Sequence, residues 1–398
     1  MSSRRETLAA AGGGLLVGLA GCSGVASQPD EPPTPDDGPD PDPENHIHGA
    51  DGAWSSFGCN AGNTREVADG QAPVDGVTER WRVEVGDLNR AEPVVADGRV
   101  FHRLGGEDLV VYDAADGTEL WRATDARTLP LVHDDTVYVG GVGHVRALAV
   151  EDGTERWRTE FDTPGPVATP ATHGGDELLV GADEHVHRLT ATTGEVEWSR
   201  RLFGRVVGPA AIYKAHFACV VTEAGKLYAL DPEGTGWGEW DLPSRPQAPP
   251  TAHSDGVYVN CLDSRTYGIS LENTSQLDID WSAETGWANA GLAVNKYLYA
   301  AGTRGLVAID PETGEERWTH DTGDWRHTAP ALARDTLFVG GDALYAFDPT
   351  PSVGSGPALR FEHSLYGPVN APVLDDGVLY VTAKTDESTA HLLALEAA

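Results

Sequence analysis

Few residue groupings in this chain combine type and spacing in a way that chemistry can use. Leu19-Ala20-Gly21-Cys22 sets a thiol behind two small residues at the end of an apolar stretch. Small side chains fit a peptidase cleft, and the sulfur can then carry a lipid as a thioether. His133, His173 and His253 each lie three residues after a proline: Pro130, Pro170 and Pro250. Imidazoles at matching places around one axis are candidate axial ligands for a transition metal. The matching place after Pro209 holds Ile212, which breaks the set, so no metal is expected. His46 and His48 flank Ile47 as a His-x-His, in a flexible context that holds a metal poorly. Asn273-Thr274-Ser275 is a glycosylation acceptor pattern. Of the other thiols, Cys59, Cys219 and Cys261, the last two sit one residue out of step in similar local contexts. That offset opposes a disulfide, and buried, inert thiols are expected. No Gly-x-Ser-x-Gly, His-Glu-x-x-His or phosphate-loop pattern occurs. No catalytic residue is expected.

The elements that position these residues begin with an address. Arg4 and Arg5 precede the 13 apolar or small residues from Leu8 to Ala20. That is short of the ~20 residues a spanning helix needs. The pair and the Leu-Ala-Gly-Cys run resemble a twin-arginine export signal followed by a lipobox. The resemblance implies export by the twin-arginine pathway and cleavage before Cys22. It also implies a lipid anchor on the external face of the cytoplasmic membrane, the anchor being the chain's one contact with lipid. Residues 1–21 then form the signal peptide and 22–52 a linker. Gln28 to Asn45 holds seven prolines and seven acids and no large apolar residue. Such a run cannot bury enough surface to fold and stays extended.

Charge excludes further functions. The 398 residues carry 62 Asp and Glu against 28 Lys and Arg, a formal net charge of −34. Nucleic acid and anionic lipid both need basic counter-charge, so neither is an expected partner. Only Lys214, Lys226, Lys296 and Lys384 are lysines, and there is one methionine. This composition resembles that of salt-accumulating haloarchaea, where ~1 M salt shortens the Debye length to ~3 Å and screens self-repulsion.

The rest, 53–398, is one repeat. Trp81, Trp121, Trp157, Trp198, Trp240, Trp281 and Trp318 recur at spacings of 40, 36, 41, 42, 41 and 37 residues, and Phe361 follows 43 residues later. A glycine stands four residues before tryptophan at Gly117, Gly153, Gly194, Gly236 and Gly314, the mark of a turn that needs positive φ. After each tryptophan comes a proline or small residue, then two short apolar strands about a polar turn. Eight such units start at Pro93, Pro130, Pro170, Pro209, Pro250, Gly291, Pro330 and Pro372. A period near 40 with four strands per unit predicts an all-β, eight-bladed β-propeller. The last unit stops before its tryptophan strand, and Glu79 to Val85 has no unit in front of it. The N-terminal strand is therefore expected to close the last blade and protect both sheet edges. The tryptophans are read as structural, docked between blades, around a wide axial channel.

This Asp-x-x-Thr-Gly-x-x-x-Trp-type repeat resembles the tryptophan-docking motif of the pyrroloquinoline-quinone (PQQ)-like, BamB-like propeller superfamily. Trp54 to Thr64 also looks like the lead-in segment of such proteins. The resemblance implies the fold strongly and the function weakly. Its dehydrogenases need PQQ in an axial funnel, calcium or a lanthanide at the quinone, a catalytic Asp and an adjacent cysteine pair. No Cys-Cys pair occurs here, and the chain has little beyond the bare repeat, so PQQ is not expected. The expectation is a non-catalytic cell-surface lipoprotein whose propeller is a scaffold for an unidentified protein partner. The alternatives are a PQQ-dependent dehydrogenase or an axial metal or small-ligand site.

Overall fold

The computed structural model describes residues 54–398 except 68–70, 87–90, 106–107, 173–175, 272–277, 334–335 and 350–355. Arg4, Arg5, Cys22, His173 and Asn273 lie outside the described residues. Within them every regular element is a strand. Strands alternate with tight turns because apolar runs of about five residues are bounded by Asp, Gly and Pro.

Eight sheets form a ring, each an antiparallel meander from its innermost to its outermost strand. Blade one is Val94–Ala96, Arg99–Arg103, Leu109–Asp113 and Glu119–Ala123. Blade two is Leu131–His133, Thr136–Gly140, His144–Ala149 and Glu155–Glu160. Blade three has Glu177–Ala182, His185–Thr190 and Val196–Arg201. Its innermost strand shrinks to one bridge between Ala171 and Leu179, with the Thr172 hydroxyl donating to the Glu177 carbonyl. Blade four is Ala211–Tyr213, Phe217–Thr222, Lys226–Leu230 and Gly236–Asp241. Blade five is Thr251–His253, Gly256–Asn260, Arg265–Ile269 and Trp281–Glu284. Blade six is Ala293–Val294, Leu298–Gly302, Gly305–Ile309 and Glu316–His320. Blade seven is Ala331–Leu332, Leu337–Val339, Leu344–Asp348 and Ala358–His363. Blade eight is Val373–Asp375, Val378–Lys384 and Ala390–Ala397, and its outermost strand is Val77–Glu84 from the other end of the domain. Val77 pairs with Ala397 and Glu84 with His391, so the ring closes as the repeat count requires.

The tryptophans join blades. Trp81, Trp121, Trp157, Trp198 and Trp281 donate Nε1–H to a carbonyl in the next blade's outer hairpin: Ala114, Val150, Ala191, Pro232 and Pro311, at 2.8–3.0 Å. Behind each ring stands that hairpin's left-handed glycine, Gly117, Gly153, Gly194, Gly234 or Gly314. A Cβ at Gly153 would meet Trp121 at 2.7 Å, so the glycine lets the ring lie flat against the turn. Five blades also pair this ring with an aromatic on their own second strand, as Phe101 with Trp121 and Tyr299 with Trp318, and in blade seven Phe361 pairs with Phe338 in the same way.

Blade four departs from the sequence reading twice. The turn glycine is Gly234, at φ +77°, and Gly236 begins the outer strand. The docking register also belongs to another residue. Val111 pairs with Trp121 and Ala147 with Trp157, whereas the matching Ala229 pairs with Gly238. Trp240 stands two residues further on, and its ring folds back over Gly238, where a Cβ would be 2.3 Å from it. Its Nε1 has no hydrogen-bond partner among the described residues.

Candidate functional site

The innermost strands turn backbone edges toward the axis, and residues 54–67 use them. This segment runs round the axis as a girdle. The amides of Val95, Val132, Ile212, Ala252, Val294 and Leu332 donate to the carbonyls of Trp54, Ser55, Ala61, Gly62, Thr64 and Arg65, at 2.7–2.9 Å. Six of eight blades are thus stitched to one short segment. Its curvature needs left-handed residues: Gly58, Cys59, Asn63 and Arg65 all have φ between 55° and 66°. At Gly58 only glycine serves, because a Cβ would lie 2.6 Å from Asn63 Cα. Asn60 Oδ1 accepts from the amides of Gly62 and Thr64, and Asn63 Nδ2 donates to the carbonyls of Ala210 and Pro250. The wide open channel of the sequence reading is therefore occupied by the chain itself.

Above the girdle the axis holds a cavity of about 340 Å³. Phe57 of the girdle, Glu92 and Arg103 of blade one, Leu129, Asn289 and His327 line it. Several of these precede innermost strands, so the well opens on the face where one blade connects to the next. Arg65 lies beneath it, fully buried, with Nε donating to the Pro330 carbonyl and a terminal nitrogen 2.8 Å from Glu92 Oε2. Burial still pushes the Glu92 carboxyl above its ordinary range, outweighing Arg65. Burial also lowers the Arg103 guanidinium, and with the Arg103 charge it lowers the neighbouring His102 to about 3. The well is thus walled by one buried, compensated ion pair and a partly desolvated arginine.

The two faces of the ring differ. Turns within blades present Asp97, Asp134, Asp152, Glu233, Glu312 and Asp376 to solvent on one side. The connecting face carries exposed Val142, Phe203, Leu262 and Tyr366, in loops of blades two, three, five and seven. Arg326 stacks on Trp287 there, at 5.0 Å. Ion pairs on that face include Arg245–Glu223 at 2.7 Å and Arg205–Asp183 at 3.4 Å.

Of the candidate histidines, His173 lies outside the described residues. His133 and His253 end innermost strands and face the acids of their own turns, Asp134 at 3.6 Å and Asp255 at 3.3 Å. An inner strand offers backbone to the axis and sends side chains toward neighbouring blades, so equal radius does not make imidazoles converge. Among the described residues no group of three or more His, Cys, Asp or Glu is placed to hold a metal. Cys59, Cys219 and Cys261 are free and buried, and burial raises all three thiols, Cys261 to about 12. The girdle and Glu92 were missed as a site. The signal present was the run of small and polar residues from Ser55 to Arg65, too short for a strand pattern.

A family model described as "Outer membrane protein assembly factor BamB" matches residues 73–168, 141–290, 276–353 and 302–398. The chain is 28% identical over 169 residues to the serine/threonine-protein kinase AfsK of Streptomyces griseus, covering 36% of this chain and 20% of the kinase. It is 28% identical over 167 residues to outer membrane protein assembly factor BamB of Burkholderia pseudomallei, covering 41% and 43%. These matches span less than half the length of either relative. Among solved structures, BamB from Moraxella catarrhalis superposes with a TM-score of 0.62 at 15% identity, covering 81% of this chain and 98% of that one. A quinohemoprotein alcohol dehydrogenase from Comamonas testosteroni gives 0.64 at 12%, covering 88% and 81%. At such identities these likenesses speak to fold alone.

Proposed function

The chain belongs to the family described as outer membrane protein assembly factor BamB, and on that premise we propose that it is a non-catalytic scaffold that docks a protein partner on its connecting face. One observation carries the reading: exposed Val142, Phe203, Leu262 and Tyr366 all stand on that face, in loops of blades two, three, five and seven. Apolar side chains on loops held by a rigid ring are what a docking surface requires. We place the propeller outside the cytoplasmic membrane, tethered through a lipidated Cys22 and the acidic linker after twin-arginine export, in a haloarchaeal host. Those features rest on the N-terminal motifs and the composition.

A PQQ-dependent dehydrogenase is the second reading, favoured by the likeness to quinohemoprotein alcohol dehydrogenases. The well fits that cofactor poorly. Its lining carboxylate, Glu92, is committed to Arg65, so among the described residues no free carboxylate lines the well for a calcium ion at the quinone. No cysteine pair is present to stack on the ring.

Affinity capture from the native membrane in high salt tests the scaffold. Wild-type protein is expected to retain a specific partner that Phe203→Asp and Tyr366→Asp lose. Retention of the same partner by both variants, or alcohol oxidation by purified protein given PQQ and calcium, would overturn it.

A further inference from the structure

A second cavity, of about 290 Å³, lies on the acidic face between blades five and six, on the opposite side of the ring from the proposed docking surface. Three elements build it. The turn after Thr251–His253 supplies Asp255, the outer hairpin of blade five supplies Ile269, Asp280 and Trp281, and the outer turn of blade six supplies Pro311 and Glu312. Asp255, Asp280 and Glu312 are exposed at the mouth. Asp280 accepts from the Ser270 amide, and Asp255 lies 3.3 Å from the His253 ring.

At the base is Tyr258. It is 1% exposed, and its hydroxyl has no hydrogen-bond partner among the described residues. In blade six the matching Tyr299 donates to the Pro349 carbonyl at 2.9 Å, whereas beside Tyr258 the equivalent Pro311 carbonyl is taken by Trp281 Nε1. A buried hydroxyl without a partner is unfavourable and rare. Burial and nearby carboxylates keep it protonated, so it can give or accept one hydrogen bond. Carboxylates at the mouth, apolar walls and an unused polar atom at the base describe a receptor for a cation with an alkyl stem and N–H donors.

We propose that this cavity binds an alkylguanidinium or alkylammonium group, a chemistry shared by a partner's basic side chain and a free organic cation. Ile269, the Trp281 edge and Pro311 cover the stem. Asp280 and Glu312 face the charge, and the Tyr258 hydroxyl accepts one N–H. An inorganic ion is a poorer occupant, since no three acids or histidines among the described residues are spaced to coordinate one.

Calorimetric titration of the whole protein with n-butylguanidinium, and separately with a short end-blocked arginine peptide, tests this at fixed ionic strength. Saturable binding of one equivalent is expected. Tyr258→Phe should weaken it about ten-fold, the worth of one hydrogen bond to a charged group. Glu312→Gln, at an exposed position, should weaken it about three-fold. Tyr380→Phe, the matching change in blade eight, should leave it unchanged. Tighter binding of the peptide assigns the site to a partner's side chain, and equal binding to a free cation. Absence of binding, affinity indifferent to Tyr258→Phe, or uptake of calcium with no organic cation bound would overturn the proposal.

Discussion

Arg65 and Glu92 meet at 2.8 Å on the propeller axis, both buried, one from the girdle and one from the approach to blade one. Arg65 also donates to the carbonyls of Pro330, Ala290 and Pro372, so one guanidinium ties blades six, seven and eight to the segment that threads them. Removing it strands a buried carboxylate and three acceptors. Arg65→Ala should cost about 3–5 kcal/mol in denaturant unfolding. Adding Glu92→Gln to that background should recover part of the loss, because the uncompensated charge is gone. Strictly additive losses would mean the two residues act separately.

The glycine turns allow strain and contact to be separated. Gly153 and Gly98 have similar φ, 73° and 68°, but a Cβ at Gly153 would press on Trp121 at 2.7 Å while one at Gly98 meets nothing within 4 Å. Gly98→Ala should therefore cost only the left-handed penalty, about 1–2 kcal/mol. Gly153→Ala should cost at least about 1 kcal/mol more, from displacing the ring. Equal thermal shifts for the two variants would show that the docking contact contributes nothing.

The ring of blades was legible because most repeats carry the same punctuation: a turn glycine, a nearby Asp, and a tryptophan close behind. Closure by Val77–Glu84 followed from counting strands. The register of blade four was not legible. Gly236 stands four residues before Trp240, as the repeat asks, but the hairpin turns at Gly234, so the docking position falls on Gly238. Two glycines two residues apart offer two registers that keep the same side chains on the same face, and alternation does not choose between them. Matching sequence positions do not decide where His133 and His253 point: side-chain direction at an inner strand is set by the sheet, and each ring faces the acid of its own turn. The girdle escaped because its bonds to the blades are made by backbone carbonyls, which leave no periodic side-chain pattern in the sequence.

That register difference has a measurable consequence. Trp121 Nε1 donates to the Val150 carbonyl at 2.8 Å, whereas Trp240 Nε1 has no partner among the described residues. Both rings are buried, so Phe at either site removes similar volume. Trp121→Phe also strands an acceptor, while Trp240→Phe removes an unsatisfied donor. Trp121→Phe should be the more destabilising by about 1–2 kcal/mol in denaturant unfolding. The reverse order would place the docking hydrogen bond in blade four after all.

Acid sensitivity should have an identifiable source in blade three. His187 stacks on Phe161 at 4.4 Å, faces His185 at 5.8 Å, and holds the Ser199 hydroxyl through Nδ1 at 2.7 Å. Burial, then the charge of His185, lowers His187 from 6.5 to about 4. The unfolded chain therefore takes up this proton first as pH falls. Stability from the neutral ring is complete above about 6.5 and is lost as pH drops toward 4. Asp135, held at about 2 by Arg156, titrates below this window. His102, lowered to about 3, spans it, because the unfolded chain takes up that proton near 6.5 as well. His363 is also lowered by burial and shares the window, so the wild-type slope alone does not isolate His187. The comparison does. His187→Gln should flatten the fall in melting temperature between pH 6.5 and 4.5. His185→Gln should flatten it less, since it removes only the lesser cause of the shift. Superimposable profiles for wild type and His187→Gln would exclude this ring as the source.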